Sequence, residues 1–229
     1  FFEEAYKNWK ASYEEMFAYV YPANGDGGFF QERNLTVKFC EALKKSLMSA
    51  PPAEEETRHI FAYYEYPIGH KKKMDAALYL WDEDEEEKVL FLIEAKCLQS
   101  ARIELKKNPL ANIEDSQDDW ERMGKSEIAD APLTNSCGGN SVDSIYRVVL
   151  LDCWKTPLDP NSRYEIDFKA VKGQIENGKY YPPMDNSKRF VIGALDKGDT
   201  ISFKNKPLAP ERIQKEFEYG LSVVFEKVR

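Results

Sequence analysis

Two apolar runs, at 74–80 and 89–93, flank Trp81-Asp82-Glu83-Asp84-Glu85-Glu86-Glu87-Lys88, a stretch too charged to be buried. The runs are strand-length, so the pattern predicts a β-hairpin with a solvated acidic tip. That hairpin fixes which side chains share a face, because successive residues on a strand point to opposite sides. Asp75 falls with Ala77 and Tyr79, and Met74, Ala76, Leu78 and Leu80 form the other face. On the second strand Glu94 and Lys96 share one face, and Phe91, Ile93 and Ala95 share the other. Folding the hairpin brings Asp75 and Glu94 close together.

Two carboxylates and an ammonium on neighbouring strands suit metal-assisted cleavage of a phosphodiester. The carboxylates hold divalent cations and the lysine orients or activates water. An acid two residues before a lysine is a common spacing in a charged chain; it recurs at Glu86/Lys88, Glu104/Lys106 and Asp167/Lys169. Glu94/Lys96 stands out because it ends an apolar run and has an acid on the preceding strand. Asp167/Lys169 competes, since Asp152 ends the strand-like run Val148-Val149-Leu150-Leu151, but no acidic helix precedes it. An ordinary salt-bridge cluster at a strand end also fits Asp75, Glu94 and Lys96.

In front of the hairpin, residues 29–43 have helical periodicity. At about 100° per residue, Glu32 falls within about 60° of the apolar stripe Leu35, Phe39 and Leu43, and Glu41 points away. A carboxylate on a buried stripe is costly unless paired or metal-bound, although one near a helix start also favours the helix dipole.

A helix carrying Glu32, a strand carrying Asp75 and a strand carrying Glu94-x-Lys96 together resemble the core of the PD-(D/E)XK, or restriction-endonuclease-like, nuclease superfamily. The resemblance covers about the middle half of the chain. It departs from the family pattern in lacking the proline before Asp75, where Lys73-Met74 stands. It implies that Asp75 and Glu94 ligate Mg²⁺ or Mn²⁺ with the backbone carbonyl of Ala95. It further implies that Lys96 positions the attacking water and that Glu32 adds a carboxylate. In RecB-like members a glutamine follows on the next helix, and Gln117, within an amphipathic segment at 110–129, is the residue that matches; a boundary glutamine is the alternative. The implied substrate is nucleic acid, with DNA favoured, contacted in part by Lys71, Lys72 and Lys73. Those lysines also suit a solvated turn.

The expected fold is therefore α/β: a restriction-endonuclease-like core at about 29–195, with a central mixed sheet flanked by helices, in a single domain of 229 residues. Added helices are expected at 3–19 and at 210–227, the latter with Ile213, Phe217 and Leu221 inward. Further strands are expected at 60–66, 146–153, 164–171 and 189–195, and a loop at 134–141. No run approaches the roughly 18–20 apolar residues of a membrane helix, which predicts no membrane partner. The four cysteines are scattered without a Cys-x-x-Cys pair, which argues against a zinc ribbon, and Cys40 and Cys153 read as buried thiols of a reducing cytoplasm. The chain opens at Phe1 rather than at a methionine, so it does not bear on whether a leader precedes it.

The charge balance pulls against a nuclease. With 40 acidic and 32 basic residues the chain is net −8, whereas nucleic-acid binders carry a basic footprint. Part of the negative charge is confined to Glu54-Glu55-Glu56 and the hairpin tip, leaving basic residues on either side of the candidate site. An inactive nuclease-fold module that binds a protein partner or a second copy of itself is the alternative. Nucleotide-binding glycine motifs and a Gly-x-Ser-x-Gly elbow are absent, and His59 and His70 are isolated.

Overall fold

Residues 1–19, 32–49, 57–68, 73–99, 142–154, 189–192, 199–202 and 216–228 are described by the computed structural model. The hairpin forms as its charge pattern requires. Strands β2 (Lys73–Asp82) and β3 (Glu87–Gln99) pair antiparallel from Asp82↔Glu87 to Ala76↔Ile93, and residues 83–86 make the exposed turn. Asp82 stabilises that turn by accepting hydrogen bonds from the amides of Asp84, at 3.2 Å, and Glu85, at 3.3 Å.

β1 (Arg58–Pro67) pairs antiparallel with β2, and β4 (Ser144–Trp154) runs parallel to β3. β7 (Glu216–Lys227) runs antiparallel to β4 and also pairs with β5 (Arg189–Ile192) and β6 (Asp199–Ser202). Among the described residues the sheet is mixed and seven-stranded, in the order β1-β2-β3-β4-β7-β5 with β6 on β7. Two helices, α1 (Phe2–Tyr19) and α2 (Glu32–Met48), complete the described α/β architecture. Neither is long and apolar enough to cross a membrane.

The helices bury their stripes against one face of the sheet. From α2 come Leu35, Phe39, Leu43 and Leu47; from the strands come Ala76, Leu78, Phe91, Ile93, Val148, Leu150, Leu221 and Val223. Glu41 is exposed and pairs with Lys38 at 2.9 Å, as the helical spacing predicts. Trp9, fully buried, joins the two helices: its indole N–H donates to the Leu35 carbonyl at 3.2 Å, and its ring meets Phe39 edge-on at 5.4 Å. At the start of α1, Phe2 stacks on Phe225 at 3.9 Å, fixing the helix over β7. The other face of the sheet is buried too, through Leu90, Leu92, Val149, Leu151 and Val224. Burial on both sides explains why β3 and β4 read as continuous apolar runs rather than alternating ones. A buried ion pair, Arg147–Glu226 at 2.9 Å, crosses from β4 to β7 on that second face.

The expected C-terminal helix is corrected: Glu216–Lys227 is strand β7, inside the sheet. Phe217 and Leu221 are four apart, an even spacing, so they share a face of a strand as readily as of a helix. Gly220, the adjacent β-branched Val223 and Val224, and flanking aromatics tip the balance toward strand. β6 was not anticipated at all. The expected strand at 164–171, the amphipathic segment with Gln117, the loop at 134–141 and Cys137 lie outside the described residues. Cys40 is a buried free thiol, and burial, aided by Glu41, pushes it up to about 12.

Arg58 ties the layers together, donating to Asp82 at 2.7 Å and to the Leu47 carbonyl in the last turn of α2 at 2.7 Å. Burial alone would raise the Asp82 carboxyl. The Arg58 hydrogen bond, the Glu85 and Asp84 amides and the guanidinium charge outweigh it and hold the group below its ordinary 3.8.

Two outcomes are expected. Trp9→Ala lowers stability by about 3–5 kcal/mol in urea unfolding, because it removes a large buried ring together with its hydrogen bond to the Leu35 carbonyl. Because the folded pKa of Asp82 is depressed, its stabilisation is present above the unfolded value and lost as pH falls through the folded one. The stability gap between the native chain and Asp82→Asn should therefore be full at neutral pH and narrow below about pH 4, read from urea midpoints across pH.

Candidate functional site

The β2–β3 ladder ends at Ala76↔Ile93, yet both strands continue. β3 stays paired with β4 as far as Gln99↔Trp154, and β2 stays paired with β1 down to Lys73↔Pro67. The two strands thus part at a fork, and one further step of register places Asp75 opposite Glu94.

Their side chains bridge the fork. The Asp75 amide donates to Glu94 Oε2 at 3.2 Å, and the Ala95 amide donates to Asp75 Oδ2 at 2.8 Å. Each carboxylate thus accepts an N–H from the opposite strand, where a regular ladder would use carbonyls. Lys96 reaches back along its own strand face, with Nζ 3.3 Å from Glu94 Oε1. The Glu94 and Lys96 side chains are only 8 % and 16 % exposed, so solvent screens them weakly. The small side chain of Ala77, fully buried, shares the face of Asp75, whereas that of Ala95 enters the helix-packed core. The described residues thus gather two carboxylates and one ammonium in a partly desolvated setting.

Asp75, Glu94 and Lys96 lie on the face opposite the helix-packed core, as parity predicts. Glu32 stands half-buried in the first turn of α2. Its neighbour Arg33 lies 3.6 Å from Glu65 of β1, and Lys73 lies 2.9 Å from the same carboxylate. Glu65 falls between Tyr64↔Ala76 and Tyr66↔Met74, level with Asp75, so the start of α2 sits at the forked end of the sheet. Glu65 takes the left-handed conformation, φ 53°, where β1 bends. The hydrogen bond from Lys73, with the Lys73 and Arg33 charges, holds its carboxyl below the usual range.

The competing acid, Asp152, is placed elsewhere. By register it shares the helix-facing side with Ala95, and it accepts a hydrogen bond from Tyr13 of α1 while fully buried. Lys71, Lys72, Gln117, Asp167 and Lys169 lie outside the described residues. Among the described residues, no group of three or more His, Cys, Asp or Glu side chains is arranged to hold a metal ion; the structure brings together a carboxylate pair with its lysine. Sequence reasoning missed the Arg33–Glu65–Lys73 cluster. The only available signal was a glutamate inside an aromatic strand.

Asp75→Ala should release the Ala95 amide. A hydrogen bond to a charged acceptor contributes about 1.5–3 kcal/mol, so that amide should exchange with deuterium about tenfold faster or more, with amides in the 78–91 part of the hairpin unchanged. Equal protection in the variant would mean that the carboxylate does not close the fork. No family model, curated protein or solved structure matches the chain.

Proposed function

We propose that this chain is a metal-dependent nuclease with a restriction-endonuclease-like core, hydrolysing phosphodiester bonds of nucleic acid, with DNA the favoured substrate. One observation carries the reading: Asp75 and Glu94 meet at the fork with Lys96 two residues further on the same face. The succession α2, β1, β2, β3 and the parallel β4 supports it, since it places a helical acid, a strand acid and Glu-x-Lys in the expected order.

The donor set is made of hard oxygens: two carboxylates, with the Ala95 carbonyl as third donor. It suits Mg²⁺ or Mn²⁺ better than zinc, because among the described residues the pair gathers hard oxygen donors with neither histidine nor thiolate. A cation bound there supplies charge stabilisation for the phosphoryl oxygens and acidifies water. The chain's own residues do the rest. Asp75 and Glu94 are oriented by each other's strands, so little side-chain entropy remains to be lost on binding. Lys96, held by Glu94, presents an ammonium that orients the attacking water and offsets charge building on the phosphate. Glu32 would add a carboxylate from the start of α2, and Gln117 an accessory contact.

A second reading draws on a specific observation. Because both carboxylates stand in for ladder hydrogen bonds, they could be structural, and the net charge of −8 opposes broad contact with nucleic acid. The chain would then be an inactive nuclease-fold interaction module.

Cleavage of single- and double-stranded DNA and RNA, with Mg²⁺, with Mn²⁺ and with chelator, separates the two. Asp75→Asn and Glu94→Gln retain an acceptor for the bridging amides and should stay folded. They and Lys96→Met should each lose activity by about 100-fold or more. Absence of metal-dependent cleavage, or cleavage indifferent to all three changes, would leave the interaction module.

A further inference from the structure

On the face that carries the carboxylate pair, β1 and β2 also present a row of rings. His59 pairs with Trp81, Phe61 with Tyr79 and Tyr63 with Ala77, and all lie on the side of Asp75 by parity. Phe61, Tyr63 and Trp81 are 49 %, 42 % and 40 % exposed, whereas Tyr79 is buried. His59 lies 5.5 Å from Trp81, ring centre to ring centre. Alternate residues of a strand stand about 7 Å apart, so His59, Phe61 and Tyr63 form evenly spaced rungs. Glu65, where β1 bends, follows at the level of Asp75.

Charge gives the row a direction. Beyond Trp81 lies the exposed acidic turn Glu83, Asp84, Glu85 and Glu86, which repels a phosphate backbone. At the other end Lys73, on the face of Asp75 by parity, and Arg33, reaching from the start of α2, converge on Glu65, and Lys96 lies beside Glu94 on the face of Asp75. Exposed rings without cations would suit a protein surface. Rings that lead into cations, and then into a phosphodiester-type site, suit a chain of bases on a phosphate backbone.

We propose that Phe61 and Tyr63 form a stacking strip for the bases of single-stranded nucleic acid, whose backbone passes Arg33 and Lys73 to reach Asp75, Glu94 and Lys96. A duplex hides its base faces, so the strip selects unpaired strands or frayed ends. The inference takes its ligand class from the nuclease reading and narrows the substrate.

The test is equilibrium binding of a fluorescein-labelled oligothymidine, and of a blunt duplex of equal length, to the whole chain in chelator, where no cleavage intervenes. The single strand should bind more tightly than the duplex. Phe61→Ala and Tyr63→Ala should each weaken it about tenfold or more with unchanged circular dichroism. Phe61→Leu, apolar but without a ring, should behave like Phe61→Ala. Lys73→Met should reduce the slope of log affinity against log salt by about 0.7. Equal binding of the two forms, absence of binding, or indifference to both ring substitutions overturns the proposal. So does a dimer that Tyr63→Ala dissociates without any oligonucleotide binding, since the strip would then be a contact between copies. Metal-dependent cleavage that survives both ring substitutions overturns the strip alone; ring-dependent binding without cleavage overturns the nuclease reading alone.

Discussion

Two adjacent parallel strands buried on both faces leave little room for charge. β3 and β4 are apolar above and below along most of their shared length, so a carboxylate is tolerated only where a donor meets it, as Tyr13 meets Asp152, or where the sheet loosens. The fork at the end of the β2–β3 ladder is such a place. There Glu94, still nearly buried, finds an amide from the parting strand and an ammonium from its own. The site's location thus follows from packing, and the helices, by covering the opposite face, fix which side of the sheet it occupies.

The hairpin was legible in the sequence because its two signals, an acidic stretch and a strand-length apolar run on either side, are local and agree. Parity then carried the face assignment of Asp75, Glu94 and Lys96, and helical spacing separated Glu32 from the exposed Glu41. β7 was not legible, because apolar residues four apart satisfy both periods and only tertiary pairing with β4 decides. The fork itself was also hidden: where a ladder stops depends on what each strand pairs with on its far side, and no local pattern encodes that. The meeting of Arg33, Glu65 and Lys73 required the same knowledge, since it joins three elements through a left-handed residue inside a strand.

Asp75 and Asp152 show how environment separates residues of one type. Both sit near strand ends beside apolar runs. Asp152 is fully buried against a tyrosine of α1 on the helix side and serves the core; Asp75 is partly exposed, faces a second carboxylate and adjoins cations. Spacing alone ranked the two only weakly. The layer each one enters distinguishes them without ambiguity.

The Arg147–Glu226 pair does something that apolar packing cannot. β7 alternates with the same period as β4, so sliding it by two residues would keep every apolar side chain on its proper face, and burial would scarcely distinguish the two alignments. That slide would set Arg147 against an apolar neighbour and leave its charge buried without Glu226, a loss of about 3–5 kcal/mol. The pair therefore acts as an index mark that selects one alignment among those that parity permits. It keeps the outer half of the sheet in step with the half that carries the fork.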